Sequence, residues 1–184
     1  GEHVETDPLI PSNPYSASKA SSDMLILAWA RTYGVKYVIV RPTNNYGEGQ
    51  YPEKLIPLCV KLLQRGKKIM LHDEGEPIRN WLHAEDTAEA VTTIVESGKT
   101  DEIFNIPGDF EQKNYLTVKK IIEAYYNNSV KWKDYVDLNH KRPGQDVRYA
   151  LNGDKLKQLG WKPTKVFDEE IVKLVEFYKE NFKW

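Results

Sequence analysis

Tyr15 and Lys19, in the run Tyr15-Ser16-Ala17-Ser18-Lys19, are the residues whose types and spacing best suit proton transfer. Asn13 is a good helix N-cap and Pro14 fits the first helical position, so the two side chains fall four apart on one helix face. A tyrosine is a poor base near neutrality because its ordinary pKa is about 10. An ammonium one helical turn away favours the phenolate, which makes the pair a candidate general base. The spacing alone is a weak signal, since any helix-forming stretch can carry it, and the competing reading is a half-exposed pair on a helix surface.

A second group of residues is suited to anions. The β-branched run Tyr37-Val38-Ile39-Val40 leads into Arg41-Pro42-Thr43-Asn44-Asn45-Tyr46-Gly47. Ligands of open α/β sheets bind beyond the carboxyl ends of strands, so this turn is a site candidate by position. Asn44 and Asn45 are its polar residues; alternatively they only form the turn. Arg79 and Arg142 carry planar forks that suit phosphate, although Arg79 has a competing reading as a surface ion pair with Glu85 or Asp86. Lys54 and Leu55 fall at a helix start, where backbone donors favour an anion. His3, His72, His83 and His140 show no metal-ligand spacing, and no metal site is expected.

The elements that must position these groups alternate between strand and helix. Residues 1–12 read as a loop with something expected before it, and a helix over 14–33 ends at Gly34. A helix over 52–65 stops at Gly66; strands follow at 69–72 and 78–82, a helix at 85–96 and a strand at 103–106. Further helices are expected at 117–126, 153–159 and 168–182, the last placing Ile171, Val172, Leu174, Val175, Phe177 and Tyr178 in a core. The polar stretch 127–149 reads as a loop over a binding cleft. This order implies an α/β fold, with too few strands and no glycine-rich first turn for a complete doubly wound domain.

Composition excludes several functions. With 184 residues, 40% hydrophobic and 29% charged, the chain is long enough for a sizeable core and not of disordered type. A net charge of -1 argues against a polyanion binder, so Trp132 and Tyr135 between Lys131 and Lys133 read as loop packing rather than a base-stacking surface. The single cysteine, Cys59, lies in an apolar run and reads as core, which excludes an intrachain disulfide. Gly1-Glu2-His3-Val4-Glu5 has no leader pattern, and no apolar stretch approaches the ~20 residues of a membrane span. A soluble protein in a reducing, cytoplasmic setting is expected.

Six segments occur in one order: Tyr15-Ser16-Ala17-Ser18-Lys19, Asn44-Asn45-Tyr46-Gly47, Pro52-Glu53-Lys54-Leu55-Ile56-Pro57, Arg79-Asn80-Trp81-Leu82-His83-Ala84-Glu85-Asp86, Arg142-Pro143-Gly144 and Leu159-Gly160-Trp161-Lys162-Pro163. Over essentially the whole chain they resemble the extended short-chain dehydrogenase/reductase family, specifically its dTDP-glucose 4,6-dehydratases. The resemblance implies a partial Rossmann-like parallel sheet plus a small mixed α/β substrate-binding domain. Residues 1–40 would be the remnant of the NAD-binding domain, and 41–184 a nucleotide-sugar region interleaved with the last Rossmann elements. It implies NAD as cofactor, dTDP-glucose as the first substrate candidate, no nucleic-acid or membrane partner, and a homodimer of the complete enzyme built partly on the 14–33 helix.

By the same resemblance, Tyr15 takes the sugar 4-hydroxyl proton, Lys19 hydrogen-bonds the nicotinamide ribose and Asn45 faces the cofactor. Asn44 contacts the diphosphate or sugar, joined by Lys54, Leu55, Arg79 and Arg142, while Met70, Leu71 and His72 line the base pocket and Asn114 completes the nucleotide side. Gln145 stands where many members have histidine after Arg-Pro-Gly, and Met70-Leu71-His72 where they have Pro-Val-Tyr, which leaves thymidine or uridine preference open. The family's Gly-x-x-Gly-x-x-Gly turn does not occur in these 184 residues, and its Thr-Asp-Glu acid/base triplet belongs shortly before the position of Gly1; the string Thr100-Asp101-Glu102 lies far from that place. No dehydratase turnover is therefore expected of the chain alone. A 4-epimerase fragment and a stand-alone nucleotide-sugar binding protein are the alternatives.

Overall fold

Helix α1 (Pro14–Tyr33) begins and ends on local signals in a computed structural model of the chain, which describes residues 1–127, 130–141, 143–144 and 147–181. The Asn13 side chain accepts from Ser16 N–H at 2.9 Å and Ser16 Oγ accepts from Asn13 N–H at 3.2 Å, a reciprocal capping box. Gly34 closes the helix at φ 67°, a left-handed conformation that costs glycine little. No residue of α1 is buried, and Met24, Leu25, Trp29 and Tyr33 are exposed. A partly buried ion pair, Arg41 Nε to Asp23 Oδ2 at 2.9 Å, ties the helix to the strand that follows.

Strand β1 (Val38–Pro42) pairs in parallel with β5 (Glu102–Ile106). A second sheet has the order β2-β4-β6, with β2 (Asn44–Tyr46) parallel to β4 (Ile78–His83) and β6 (Phe110–Lys113) antiparallel to it. A third pairs β3 (Ile69–His72) in parallel with β7 (Val136–His140). The mixed α/β architecture expected from the sequence is therefore present.

Two apolar cores support these sheets. The larger gathers one face each of α2 (Leu55–Gln64), α4 (Asn114–Tyr125) and α6 (Phe167–Glu180) around Leu71, Trp81 and Val136. Cys59 is fully buried in it, as expected, and burial pushes its thiol pKa well up. The smaller core joins β5 to helix α3 (Ala84–Glu96) and the short α5 (Asp154–Lys157) through Phe104, Ile106, Ile94, Leu156 and Trp161. Buried Asp86 accepts from Thr164 N–H (3.0 Å), Thr164 Oγ (2.9 Å) and Lys165 N–H (3.1 Å), anchoring the chain after Leu159-Gly160-Trp161-Lys162-Pro163. Among the described residues no helix is long and apolar enough to cross a membrane.

Several elements differ from the sequence reading, the added strands for a nonlocal reason. Residues 44–46 form β2 rather than only a turn, and the supposed loop 127–149 contains β7. Polar Phe110-Glu111-Gln112-Lys113 forms β6 because β4 offers its edge. Helix α2 starts at Leu55, residues 52–54 being a turn, and α5 is shorter than expected. Val172 faces solvent at 50% exposure, outside the stripe that buries Ile171, Leu174, Val175 and Tyr178.

Candidate functional site

The chain passes from β1 into β2 through Thr43, and a buried polar cluster fixes that passage. Thr43 N–H donates to Ile106 O at 3.1 Å, and Thr43 Oγ donates to Asn80 Oδ1 at 2.8 Å while accepting from Gly108 N–H at 3.1 Å. Asn80 Nδ2 closes the ring by donating to Gly108 O at 2.9 Å. Gly108 is obligatory here, since a Cβ would overlap the Trp81 carbonyl oxygen.

Beyond Thr43 the segment to Gln50 is held from both sides. Asn45 Nδ2 donates to Thr43 O (3.1 Å) and its Oδ1 accepts from Thr87 Oγ (2.6 Å). Both ends of the carboxamide are thus engaged within the protein, and a cofactor contact by Asn45 would use what remains of its capacity. Gln50 Nε2 donates to Asn45 O at 2.9 Å. The Tyr178 hydroxyl donates to Gly47 O and accepts from Gln50 N–H, both at 2.8 Å. Lys54 follows as the exposed N-cap of α2, beside Glu53 at 3.3 Å, and Leu55 packs on the larger core. An exposed pair of this kind contributes little, which leaves the ammonium available.

Among the described residues, buried polar atoms without a hydrogen-bond partner are Asn44 Oδ1, His72 Nδ1 and Asn114 Oδ1, on sequence-predicted substrate residues, and Gln50 Oε1, Trp81 Nε1, Asn105 Oδ1 and Trp161 Nε1 outside that set. Each such atom costs about 1–3 kcal/mol in a closed protein, so native folds keep few of them unless something else satisfies them. Backbone and packing contacts link the elements that carry Asn44, His72 and Asn114. His72 ends β3 and caps the turn Asp73–Gly75; Gly75 packs against Tyr115, and Asn114 N–H donates to Pro77 O at 3.0 Å. Strand β4 then runs from Ile78 through Arg79 to Trp81, which pairs in register with Asn44.

The pleat of β3 divides Met70, Leu71 and His72. Met70 is exposed and His72 half-buried, but the Leu71 side chain is only 3% exposed, inside the larger core. A base-pocket contact by the Leu71 side chain is therefore corrected; only its backbone remains open to that role. The His72 and His140 rings meet edge to face with centroids 6.1 Å apart, and His140 Nε2 lies 3.2 Å from Asp137 Oδ2. The Asn139 N–H, with His140, holds the Asp137 carboxyl below the ordinary carboxylate range. Arg79 Nη1 donates to Ile78 O at 2.8 Å. The two carboxylates considered as its surface partners are engaged elsewhere, Glu85 with Lys165 and Asp86 with Thr164 and Lys165.

Tyr15, 75% exposed, and Lys19 lie one turn apart near the start of α1. Asn13 Nδ2 donates to Gly144 O at 3.3 Å, so the Pro143-Gly144 turn sits beside that helix start. Past it, Val147 O accepts from Ile78 N–H at 2.8 Å and Arg148 pairs with Glu111 at 2.9 Å, linking the start of α1 to the start of β4. Arg142 and Gln145 lie outside the described residues. Among the described residues no group of three or more His, Cys, Asp or Glu is arranged to hold a metal. Sequence reasoning assigned no site role to Thr43, Asn80, Gly108, Thr87, Gln50 or Tyr178, although Thr43 lies in the candidate turn 41–47, Asn80 in the Arg-x-Trp-Leu segment and Tyr178 in the apolar stripe of the last helix.

Comparison with known proteins agrees with the resemblance seen in the motifs. The model of the NAD dependent epimerase/dehydratase family matches residues 1–107. The dTDP-glucose 4,6-dehydratase of Shigella flexneri is 42% identical over 98% of this chain, which covers 51% of that protein. DesIV, a dTDP-glucose 4,6-dehydratase from Streptomyces venezuelae solved with NAD and TYD bound, superposes with a TM-score of 0.91 at 37% identity, over 98% of this chain and 55% of that one. UDP-glucose 4-epimerase from Thermotoga maritima, solved with UDP-glucose, shares the fold at a TM-score of 0.84 and 24% identity, over 98% and 58% of the two chains. The chain thus spans about half the length of the curated relatives it matches. By its motifs, its α/β fold and these likenesses, the chain belongs to the NAD dependent epimerase/dehydratase family.

Proposed function

We propose that these residues form the nucleotide-sugar recognition part of an NAD-dependent dTDP-glucose 4,6-dehydratase, which yields dTDP-4-keto-6-deoxyglucose. The observation that carries the reading is the coincidence of orphaned buried polar atoms with residues assigned to the substrate: Asn44, His72 and Asn114. The two asparagine oxygens are acceptors, so the base N–H and the hydroxyls of a nucleotide sugar, rather than its phosphates, would satisfy them. In this reading Arg79, Arg142 and Lys54 hold the diphosphate, the latter with the start of α2 at Leu55. Met70, His72, the Leu71 backbone and Asn114 hold the base, with Gln145 beside them.

Tyr15 takes the proton from the sugar 4-hydroxyl, and Lys19 is the cation beside the developing phenolate. NAD, when bound, supplies the hydride acceptor. The exposed Tyr15 and Lys19 suit one edge of such a cofactor site, although these 184 residues include no glycine-rich turn for its pyrophosphate. We further propose that residues 1–40 belong with the cofactor domain and 41–184 with the substrate region, and that the complete enzyme is a homodimer.

Calorimetric titration tests recognition. The chain should bind dTDP, and Asn44→Ala and Asn114→Ala should each weaken it about tenfold, the loss of a ligand hydrogen bond of ~1.4 kcal/mol. A wild-type chain with no affinity for dTDP or UDP would sink the reading. For the reaction, a chimera joining these residues to the N-terminal part of the Streptomyces venezuelae enzyme should give a 4-keto-6-deoxy product from dTDP-glucose with NAD+. A 4-epimer instead would favour the epimerase alternative.

A further inference from the structure

We infer that Tyr178, on the last helix, is the positioning residue for the ligand-binding edge formed by Asn44 and the start of α2, an inference that rests on the nucleotide-sugar reading above. Its hydroxyl bridges both sides of the turn between β2 and α2, donating to Gly47 O and accepting from Gln50 N–H. Gln50 then reaches back to Asn45 O. The turn therefore hangs from one buried phenol that is 131 positions away from Gly47 in the chain.

The turn needs such a clamp. It contains Gly47 and Gly49, the latter at φ 71°, with Glu48 and Gly49 exposed, so little in its own sequence limits its backbone. Asn44, whose Oδ1 is orphaned, stands just upstream, and Lys54, which caps α2, just downstream. Fixing the turn from below sets the spacing of these two ligand contacts before ligand arrives, and removes an ordering cost from binding. Burial raises the Tyr178 phenol pKa, so the hydroxyl keeps the proton it donates. Phe177 and the larger core hold the ring itself.

Tyr178→Phe keeps the ring and removes only the clamp, while Val175→Ala opens a cavity in the same helix without touching the turn. Calorimetric titration with dTDP is expected to show Tyr178→Phe about tenfold weaker and Val175→Ala within about twofold of wild type, with Val175→Ala losing at least as much Tm. Amide exchange at Gln50 should accelerate in Tyr178→Phe alone. A Tyr178→Phe protein that binds like wild type, or a Val175→Ala protein with the same affinity loss, overturns the positioning role. If wild type binds no nucleotide, the nucleotide-sugar reading fails and the inference falls with it, an outcome distinct from wild-type binding that Tyr178→Phe leaves intact.

Discussion

At the scale of single residues the site separates groups kept for the fold from groups kept for a ligand. Thr43, Asn80 and Gly108 form a closed ring of three hydrogen bonds at the β1–β2 passage. Thr43→Val strands both Asn80 Oδ1 and Gly108 N–H, and chemical denaturation should show a loss of about 1–3 kcal/mol. Gly108→Ala must displace the Trp81 carbonyl, and about 3 kcal/mol or more should be lost. Asn44 and Asn114 are the converse case. Removing an acceptor that nothing in the fold satisfies should leave the melting temperature of Asn44→Ala unchanged or slightly raised, even as nucleotide affinity falls. A large drop in stability for Asn44→Ala would mark it instead as a structural turn residue.

Among the elements, α1 is unlike α4 and α6. Those helices bury a stripe in the larger core, whereas α1 buries no residue and relies on its caps, the Arg41–Asp23 pair and the Asn13–Gly144 contact. Packing of an apolar face supplies most helix stability in proteins, so α1 should be the least protected long helix. Native-state hydrogen exchange should find its amides about 100-fold less protected than those of α4, the equivalent of ~3 kcal/mol in opening free energy. Asn13→Ala should cost about 1 kcal/mol of helix stability and reduce helicity by circular dichroism. Equal protection of α1 and α4 would show that something covers the exposed apolar side of α1.

For the whole molecule, exposed carboxylates give a shallow acid dependence, because solvent screens their pairs, and burial sets the alkaline limit. Hydrogen bonds from Lys165, Lys36 and Lys155 lower the Glu85, Asp101 and Glu102 pKa values, and the Asn139 N–H does the same for Asp137. As pH falls the unfolded chain takes up protons first, so the stability these groups contribute is complete above about pH 5 and is lost below about pH 4. The opposite holds for Cys59, Tyr46 and Tyr178, whose pKa values burial raises. In the unfolded chain the thiol ionises near pH 8.5 and the phenols near 10, while the folded chain keeps their protons, so stability declines above about pH 8.5. Thermal melts from pH 3 to 11 should show a plateau between these limits, and Cys59→Ala should move the alkaline onset towards about pH 10. An onset that Cys59→Ala leaves in place would assign the decline to other groups.

What the sequence by itself determined lay within a few residues of its own signal. Asn13, Pro14 and Gly34 mark both ends of α1 because caps act on adjacent backbone groups, and the family motifs are contiguous strings. The alternation of helices and strands was legible for the same reason, except where a partner strand creates the element: β2 and β6 carry little β-forming pattern and pairing with β4 decides them, while the short Val136-Asp137-Leu138-Asn139 alternation of β7, inside a stretch read as loop, is realised by pairing with β3. Candidate residues such as Asn44, His72 and Asn114 could be named from motif position, but only the tertiary structure leaves their polar atoms buried and unpaired while engaging Asn45 and turning Leu71 inward. Tyr178 shows the physical reason most directly: its hydrogen bonds to Gly47 and Gln50 span 131 and 128 positions, and contacts of that reach exist only once the chain has closed on itself.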